Sequence, residues 1–311
     1  MIVGRAPART ALVGNPSDGY GGAVLTLAID NFGATVELAE AADRSEDLVD
    51  GPPGLVRIVE AARRVFRRRI SDARPARLNV STTVPREVGL AGSSAVVVAT
   101  LDASARAAGV ELSGELWPSL ALHVETEELG IPGGLQDRVA QVWGGLMLCD
   151  VRPDRRRVVA GLTAGAYRRL PLDALPPLAI AWLPGGGESS TVSQAGLQEA
   201  RDEPERRRTF AALGELAVDA SHRLAADPST LRAALDATMA ARRRLVALHP
   251  QHAELVDRLA STGAGVNYSG SGGAAVTTLP DGDLGRLAAA VAPLGAEVAA
   301  VRAAAPRPGI S

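Results

Sequence analysis

Apolar and polar positions alternate with a period of two in ARTALVG (8–14) and again through AVLTLAIDNFGATVEL (23–38). That spacing turns alternate side chains to one face, as a half-buried β-strand requires. GNPSDGYGG (14–22), between them, is built of turn formers and reads as a loop. The period becomes helical in GLVRIVEAARRVFRRR (54–69), returns to a strand in ARLNVSTTV (76–84), and becomes helical again from about Gly92 through Ala108. A further helix is expected over ELWPSLALHVETEEL (115–129), then a strand in GGLMLCDV (144–151) and a turn in RPDRRR (152–157). The proline-rich LPLDALPPL (170–178) interrupts both periods and marks the expected boundary between domains 1–172 and 173–311. Beyond it come a strand LAIAWLP (178–184), alanine-rich helices, and the strand–turn–strand GAGVNYSGSGGAAVTTLP (263–280). One more helix and a last strand near AEVAAVRA (296–303) follow, and the closing APRPGIS (305–311) is expected to fray. The mixed order of strands and helices predicts α+β layers rather than a regular βαβ array.

Composition narrows the function classes. The 311-residue chain is 46% hydrophobic, enough for one large or two smaller cores, and its formal charge of -2 gives no general attraction to nucleic acid or membrane. The single cysteine, Cys149, excludes an internal disulfide. MIVGRAPART (1–10) has no apolar signal region, and no apolar run approaches spanning length, so a soluble, cytoplasmic protein is expected. The arginines at 63, 64, 67, 68 and 69 read as a solvated helix face, and without interleaved aromatics they do not suggest nucleic-acid binding. His123, His222, His249 and His252 lack zinc-ligand spacing.

The candidate chemistry begins at VPREVGLAGSSAVVVATLDASARAAG (84–109), a glycine-rich loop feeding directly into a helix. The opening N–H groups of a helix lack internal partners and carry partial positive charge, so small residues there can cradle a phosphate. All 33 basic residues are arginines, so the lysine of a Walker-type loop is absent. A nucleophile elbow fails because Val96, not glycine, follows two places after Ser94. A plain cap by Ser93 or Ser94 is the alternative. In HVETEELGIPGGLQDRVAQVWGG (123–145), acidic residues on a helix precede a Gly-Gly turn and then Asp137 and Arg138. A carboxylate after such a turn can accept a hydroxyl proton, and Glu125 with a serine hydroxyl could hold magnesium. Equally, Glu125, Glu127 and Glu128 could be solvated and Asp137 a helix cap.

Taken together, GRAPARTALVGNPSDGYGG (4–22), PREVGLAGSSA (85–95) and NYSGSGGAAV (267–276) resemble, in order, the three motifs of the GHMP kinases. Within that superfamily the likeness is greatest to the glucuronokinases, through GNPSD, the extra residue before Gly-Ser-Ser, and GLQDRVAQV (134–142). Thr238 departs from that pattern, standing where an asparagine is expected before the arginine run 242–244.

The resemblance implies two α+β domains, the second ferredoxin-like, with ATP and acceptor in the cleft between them. It implies that Pro85, Gly89, Leu90, Ala91, Gly92, Ser93, Ser94 and Ala95 wrap the triphosphate, with Gly270, Ser271, Gly272 and Gly273 lining the phosphate side. Ser94 and Glu125 would hold Mg2+, Asp137 would be the base, and Arg9 its cationic neighbour. Asn15, Asp18, Tyr20, Gly134, Asp137, Arg138 and Arg243 would meet the acceptor, one or more arginines reading a sugar-acid carboxylate. The expected reaction is phosphorylation of the anomeric hydroxyl of D-glucuronate by ATP, in a monomer or homodimer. Galacturonate, a neutral hexose, a mevalonate-like alcohol, or a non-catalytic nucleotide-binding regulator are the alternatives.

Overall fold

The computed structural model describes residues 1–41, 45–185 and 203–310. Its organising strand is β2 (Ala23–Glu40), which pairs antiparallel with β1 (Ile2–Val13). Leu25 faces both Val13 and Leu148, and Val36 faces both Gly4 and Val80, so β2 is paired on both edges. β4 (Ala76–Thr82) and β5 (Leu146–Asp150) share the second edge end to end. β3 (Leu48–Asp50) and β8 (Ala166–Leu170) complete a six-stranded sheet, and β6 (Arg157–Val159) with β7 (Leu162–Ala164) forms a separate hairpin. The second sheet contains β9 (Leu178–Trp182), β10 (Val266–Tyr268), β11 (Ala274–Thr278) and β12 (Glu297–Ala300), in the order β10-β11-β9-β12. All its pairings are antiparallel. With helices between β9 and β10 and between β11 and β12, this is the ferredoxin-like order.

The period-two pattern sorts side chains between two cores. Val36, Leu38, Leu78, Val80, Met147 and Cys149 face the helices α1 (Pro53–Arg69), α2 (Gly92–Ala108), α3 (Leu116–His123) and α4 (Gln136–Trp143). From the opposite face, Leu12, Leu25, Leu27, Ile29, Leu146 and Leu148 pack against α5 (Pro204–Ala226), α6 (Thr230–Leu245) and the inner face of the second sheet. Each fully buried Leu or Ile there contributes about 1.5–3 kcal/mol of transfer free energy. The two sheets thus share one apolar layer, and α7 (Pro250–Ser261) and α8 (Leu284–Val291) cover the outer face of the second.

Two expectations are corrected. Arg63 is not on a solvated face: it is 1% exposed, bonded to Asp47 at 3.1 Å, Ser104 at 3.2 Å and the Arg74 carbonyl at 2.8 Å. Nor does the C-terminal segment fray. The Ala304 N–H donates to the Ala28 carbonyl (2.9 Å), and the Arg307 N–H donates to that of Trp143 (2.8 Å). The Arg307 guanidinium lies 4.7 Å from the Trp117 ring centroid, 3.4 Å from Asp102, and 2.9 Å from the Arg5 carbonyl. The tail has no periodic pattern because it adds no helix or strand face. Its ordering comes from backbone bonds, from Arg307 and Arg169, and from Ala304 and Ile310 packed on the core, none of which leaves a periodic signature.

Arg307→Ala should therefore cost about 1–3 kcal/mol of stability, the scale of a charge-assisted hydrogen bond plus a cation–π contact. Urea denaturation reads it. A chain cut after residue 302 with the parent midpoint would mean that the tail contributes nothing.

Candidate active site

Arg9 is a long cation on a strand whose neighbours go into the core, yet it is only 4% exposed. Its charge is compensated locally. Nε donates to Asp137 Oδ1 at 2.6 Å, and Nη1 donates to the carbonyls of Gly89 and Ser269, each at 2.7 Å. One side chain therefore joins the first turn of α4, the loop before α2 and the loop after β10.

Those two loops meet backbone to backbone. A Cβ added at Gly270 would sit 2.3 Å from the Gly89 carbonyl oxygen, and one at Gly89, where φ is +76°, would sit 2.8 Å from that of Gly272. Only glycine permits the approach. α2 then opens at Gly92 behind Ala91, a non-glycine residue held at φ 59°. This is a sparsely populated conformation of the kind found where surroundings over-determine the backbone. The Gln141 side chain braces it, Nε2 donating to the Ala91 carbonyl at 2.9 Å. Gly92, Ser93, Ser94 and Ala95 form the first helical turn; the Ala95 N–H closes on the Ala91 carbonyl (3.0 Å), and the N–H groups of the three residues before it are the donors that a helix opening leaves without an intrahelical partner. Pro85 and Leu90 lie in the loop before it, Leu90 buried. Gly272 follows the turn and approaches the His252 ring closely enough that a Cβ would lie 2.9 Å from Nδ1. Ser271 and Gly273 complete that loop beside it.

The helix over 115–129 changes pitch after His123, and Val124–Glu128 form a π-helical turn. This turns Glu125 fully inward, where Ser93 Oγ donates to Oε1 at 2.8 Å and Arg138 Nε and Nη2 both donate to Oε2. Arg138 also donates to the Gly134 carbonyl (2.7 Å) and lies 3.5 Å from Asp137 Oδ2. Asp137 thus stands between two guanidiniums. Burial raises its pKa, but Arg9 and Arg138 outweigh that and hold the carboxyl below its ordinary range. At neutral pH it is a carboxylate with 17% of its side chain exposed.

Asp18 is the contrasting carboxylate. It accepts from the Gln136 backbone N–H (3.0 Å) and Nε2 (3.1 Å), and a Cβ at Gly134 would lie 1.9 Å from its Oδ2. Burial pushes it up to about 6, with the Asp137 charge adding and the Gln136 N–H opposing. Asn15 is 1% exposed and its amide is engaged with the Tyr268 carbonyl (3.3 Å) and Asn267 (2.8 Å). Tyr20 stacks on Phe210, ring centroids 3.9 Å apart. Arg243 is directed to the surface, 38% exposed and paired with Asp257 at 2.6 Å. Its neighbour Arg242 is buried. Gln136 and Gln141 are additions that the sequence reading passed over. Nothing in their spacing distinguishes a bracing amide from a solvated one.

The fold family implies magnesium, but the donors around Glu125 do not fit a directly bound ion. Its oxygens are taken by Ser93 and Arg138, and a dication there would face the Arg138 charge. The serine at Glu125 is Ser93 rather than Ser94. Among the described residues no group of three or more His, Cys, Asp or Glu side chains is placed to hold a metal, and no helix is long and apolar enough to cross a membrane.

The Asp18 environment has a thermodynamic consequence. A carboxyl whose folded pKa is raised costs nothing below its unfolded value, and the full penalty applies above about pH 6. Raising the carboxyl from its ordinary value to about 6 corresponds to about 3 kcal/mol. The stability difference between Asp18→Asn and parent should therefore move by about 2–3 kcal/mol in favour of the variant between pH 4 and pH 7. Urea midpoints at the two pH values test it, and a pH-independent difference would refute the assignment.

Residues 57–145 match the GHMP kinases N terminal domain family. Glucuronokinase 1 of Arabidopsis thaliana is 32% identical over 315 residues, covering 89% of this chain and 85% of the relative. Lactococcus lactis galactokinase, solved with galactose, superposes with a TM-score of 0.77 at 13% identity, over 98% of this chain and 95% of that one. Methanococcus jannaschii mevalonate kinase gives a TM-score of 0.75 at 14% identity, over 97% and 98%. The chain belongs to the GHMP kinase family, ATP-dependent phosphotransferases that act on alcohol and sugar hydroxyls.

Proposed function

We propose that the protein transfers the γ-phosphoryl group of ATP to the anomeric hydroxyl of D-glucuronate, giving glucuronate 1-phosphate and ADP. The observation that carries the chemistry is the Arg9–Asp137 pair at 2.6 Å, with Arg9 buried and Asp137 partly exposed, set between two glycine loops and beside a helix N-terminus. The choice of acceptor is supported by the relatives Glucuronokinase 1 and Probable glucuronokinase 2 of Arabidopsis thaliana, 32% and 31% identical.

In this reading the N–H groups opening α2 and the loop at 270–273 receive the phosphates. The hydroxyl oxygen attacks the γ-phosphorus, the bond to the β,γ-bridging oxygen breaks, and ADP leaves with that electron pair. The hydroxyl proton passes to Asp137. A carboxylate held low in pKa is a weak base, which suits a loose transition state in which the hydroxyl is still protonated until late. It also suits the anomeric hydroxyl, the most acidic one of a sugar. Arg9, fixed by carbonyls from both loops, would offset charge on the transferring group without reorganising. Asp18 would accept from a hydroxyl of the acceptor, and Arg138, tied to Glu125, would hold the Asp137 side chain in place. Magnesium would enter with the nucleotide's phosphates, and no role of these residues depends on its binding Glu125. A retired, regulatory member of the family would have no need to keep the Arg9–Asp137 geometry.

The test is ADP release over a panel of D-glucuronate, D-galacturonate, D-glucose, D-galactose and mevalonate, with the product identified by ³¹P NMR. Glucuronate 1-phosphate should dominate. Equal turnover of glucose, or no uronate turnover, removes the substrate assignment and leaves the kinase.

Asp137→Asn should lower kcat by roughly 10² to 10⁴ while ATP binding persists, the range for a positioned acid–base group. Near-parent turnover in that variant excludes Asp137 as the base.

A further inference from the structure

Four arginines are buried among the described residues: Arg9, Arg63, Arg138 and Arg242. Three of them face a carboxylate, namely Asp137, Asp47 and Glu125. Arg242, on α6 and 3% exposed, has none among the described residues. Nη2 donates to the Gly270 carbonyl at 2.9 Å and Nη1 to that of Asn15 at 3.5 Å, while Nε is buried without a partner. The guanidinium also lies 5.2 Å from the Tyr268 ring centroid. Burial lowers its pKa to about 10; the Tyr268 hydroxyl opposes that, and the Arg9 charge adds to it.

A buried cation without a counter-charge is costly, and proteins normally pair it. Here two of the five guanidinium donors go to carbonyl oxygens, which solvate the charge without neutralising it. No carboxylate among the described residues supplies the counter-charge, which leaves that role open to an anionic ligand. The two carbonyls say where it would lie, since one belongs to the GNPSD loop after β1 and the other to the glycine loop after β10. Arg9 already occupies the junction between the two glycine loops. Arg242 approaches from the side of Asn15.

We propose that Arg242 is the receptor for the carboxylate of the acceptor sugar acid and so sets the preference for uronate over neutral sugar. This rests on the acceptor reading given above. The unused Nε–H and an adjacent Nη–H form the planar edge that meets two carboxylate oxygens. Of the other candidates, Arg138 is engaged by Glu125, Arg243 lies at the surface against Asp257, and Arg244 is exposed.

Titration calorimetry with D-glucuronate, D-glucose and ATP on the full chain, on Arg242→Gln, Arg242→Lys and Arg243→Gln, tests the assignment. Arg242→Gln should weaken glucuronate binding tenfold to a hundredfold, the scale of a charge-assisted contact, with ATP affinity within about twofold and any glucose binding unchanged. Arg242→Lys keeps the charge without the fork and should fall between; it also serves if the glutamine variant does not fold. Unchanged glucuronate affinity in Arg242→Gln overturns the proposal, as does a larger loss in Arg243→Gln. Equal weakening of ATP would make the anion a phosphate, which also overturns it. Glucuronate that binds through Arg242 but yields no 1-phosphate leaves this site standing and removes the proposed reaction. A parent chain that binds no sugar acid removes the site, while the other acceptors in the panel still test the kinase.

Discussion

One guanidinium holds together three segments that are far apart in sequence. Arg9 comes from the first strand, Gly89 from the loop before α2, Asp137 from α4 and Ser269 from the loop after β10, and all converge within hydrogen-bond distance. Because Arg9 is buried, each contact is made in a low-dielectric setting where an unmet donor would be expensive. Its positions are coupled: the Gly89 carbonyl can reach Arg9 only because Gly89 and Gly270 touch without side chains between them. A methyl group at either glycine would separate the loops and pull one carbonyl from the guanidinium.

The same junction fixes the two halves of the molecule against each other. Beyond the shared apolar layer, the Ala11 N–H donates to the Ser269 carbonyl (2.9 Å), Thr10 Oγ1 donates to Ser269 Oγ (3.0 Å), and Asn267 Nδ2 donates to the Leu12 carbonyl (2.8 Å). The first strand is therefore stitched to the second sheet beside the Arg9 cluster. A site built on such a seam has its donors in position before any ligand arrives, which is the condition for electrostatic preorganisation. Asn15 belongs to this stitching: its amide joins the GNPSD loop to Asn267 and Tyr268.

Much of this was legible in the sequence, for identifiable reasons. Period-two alternation located β1 and β2, whose two faces are buried on different cores, while β5 and β9 are short runs buried on both faces and show no alternation. The glycine loops were legible because steric demand leaves few residue choices. What periodicity could not disclose were features of pairing. Arg63 looks like its exposed neighbours Arg64 and Arg68, and only Asp47, Ser104 and the Arg74 carbonyl make it a core residue. In the run 242–244, adjacent arginines diverge in the same way. A step of one residue on a helix rotates the side chain by about 100°, so Arg242 points inward while Arg243 meets solvent and Asp257. The tail 303–310 was unreadable for a related cause, since its order comes from backbone bonds to Ala28 and Trp143.

The two carboxylates of the site carry the remaining logic. Asp137 and Asp18 are close enough to influence each other, yet their environments push them in opposite directions. Asp137 has a guanidinium on each side, whereas at Asp18 burial, with the Asp137 charge, outweighs the Gln136 backbone N–H and the Arg138 and Arg9 charges. Divergence of this kind separates roles within a single pocket. A carboxylate that stays ionised across the physiological range is available to take a proton at any moment of turnover. One poised at about 6 responds to what lies against it, because a hydroxyl donating to its oxygens would favour the ionised form and lower its pKa. Under the proposed function, an acceptor hydroxyl donating to Asp18 would offset part of the cost that burial imposes on its carboxylate.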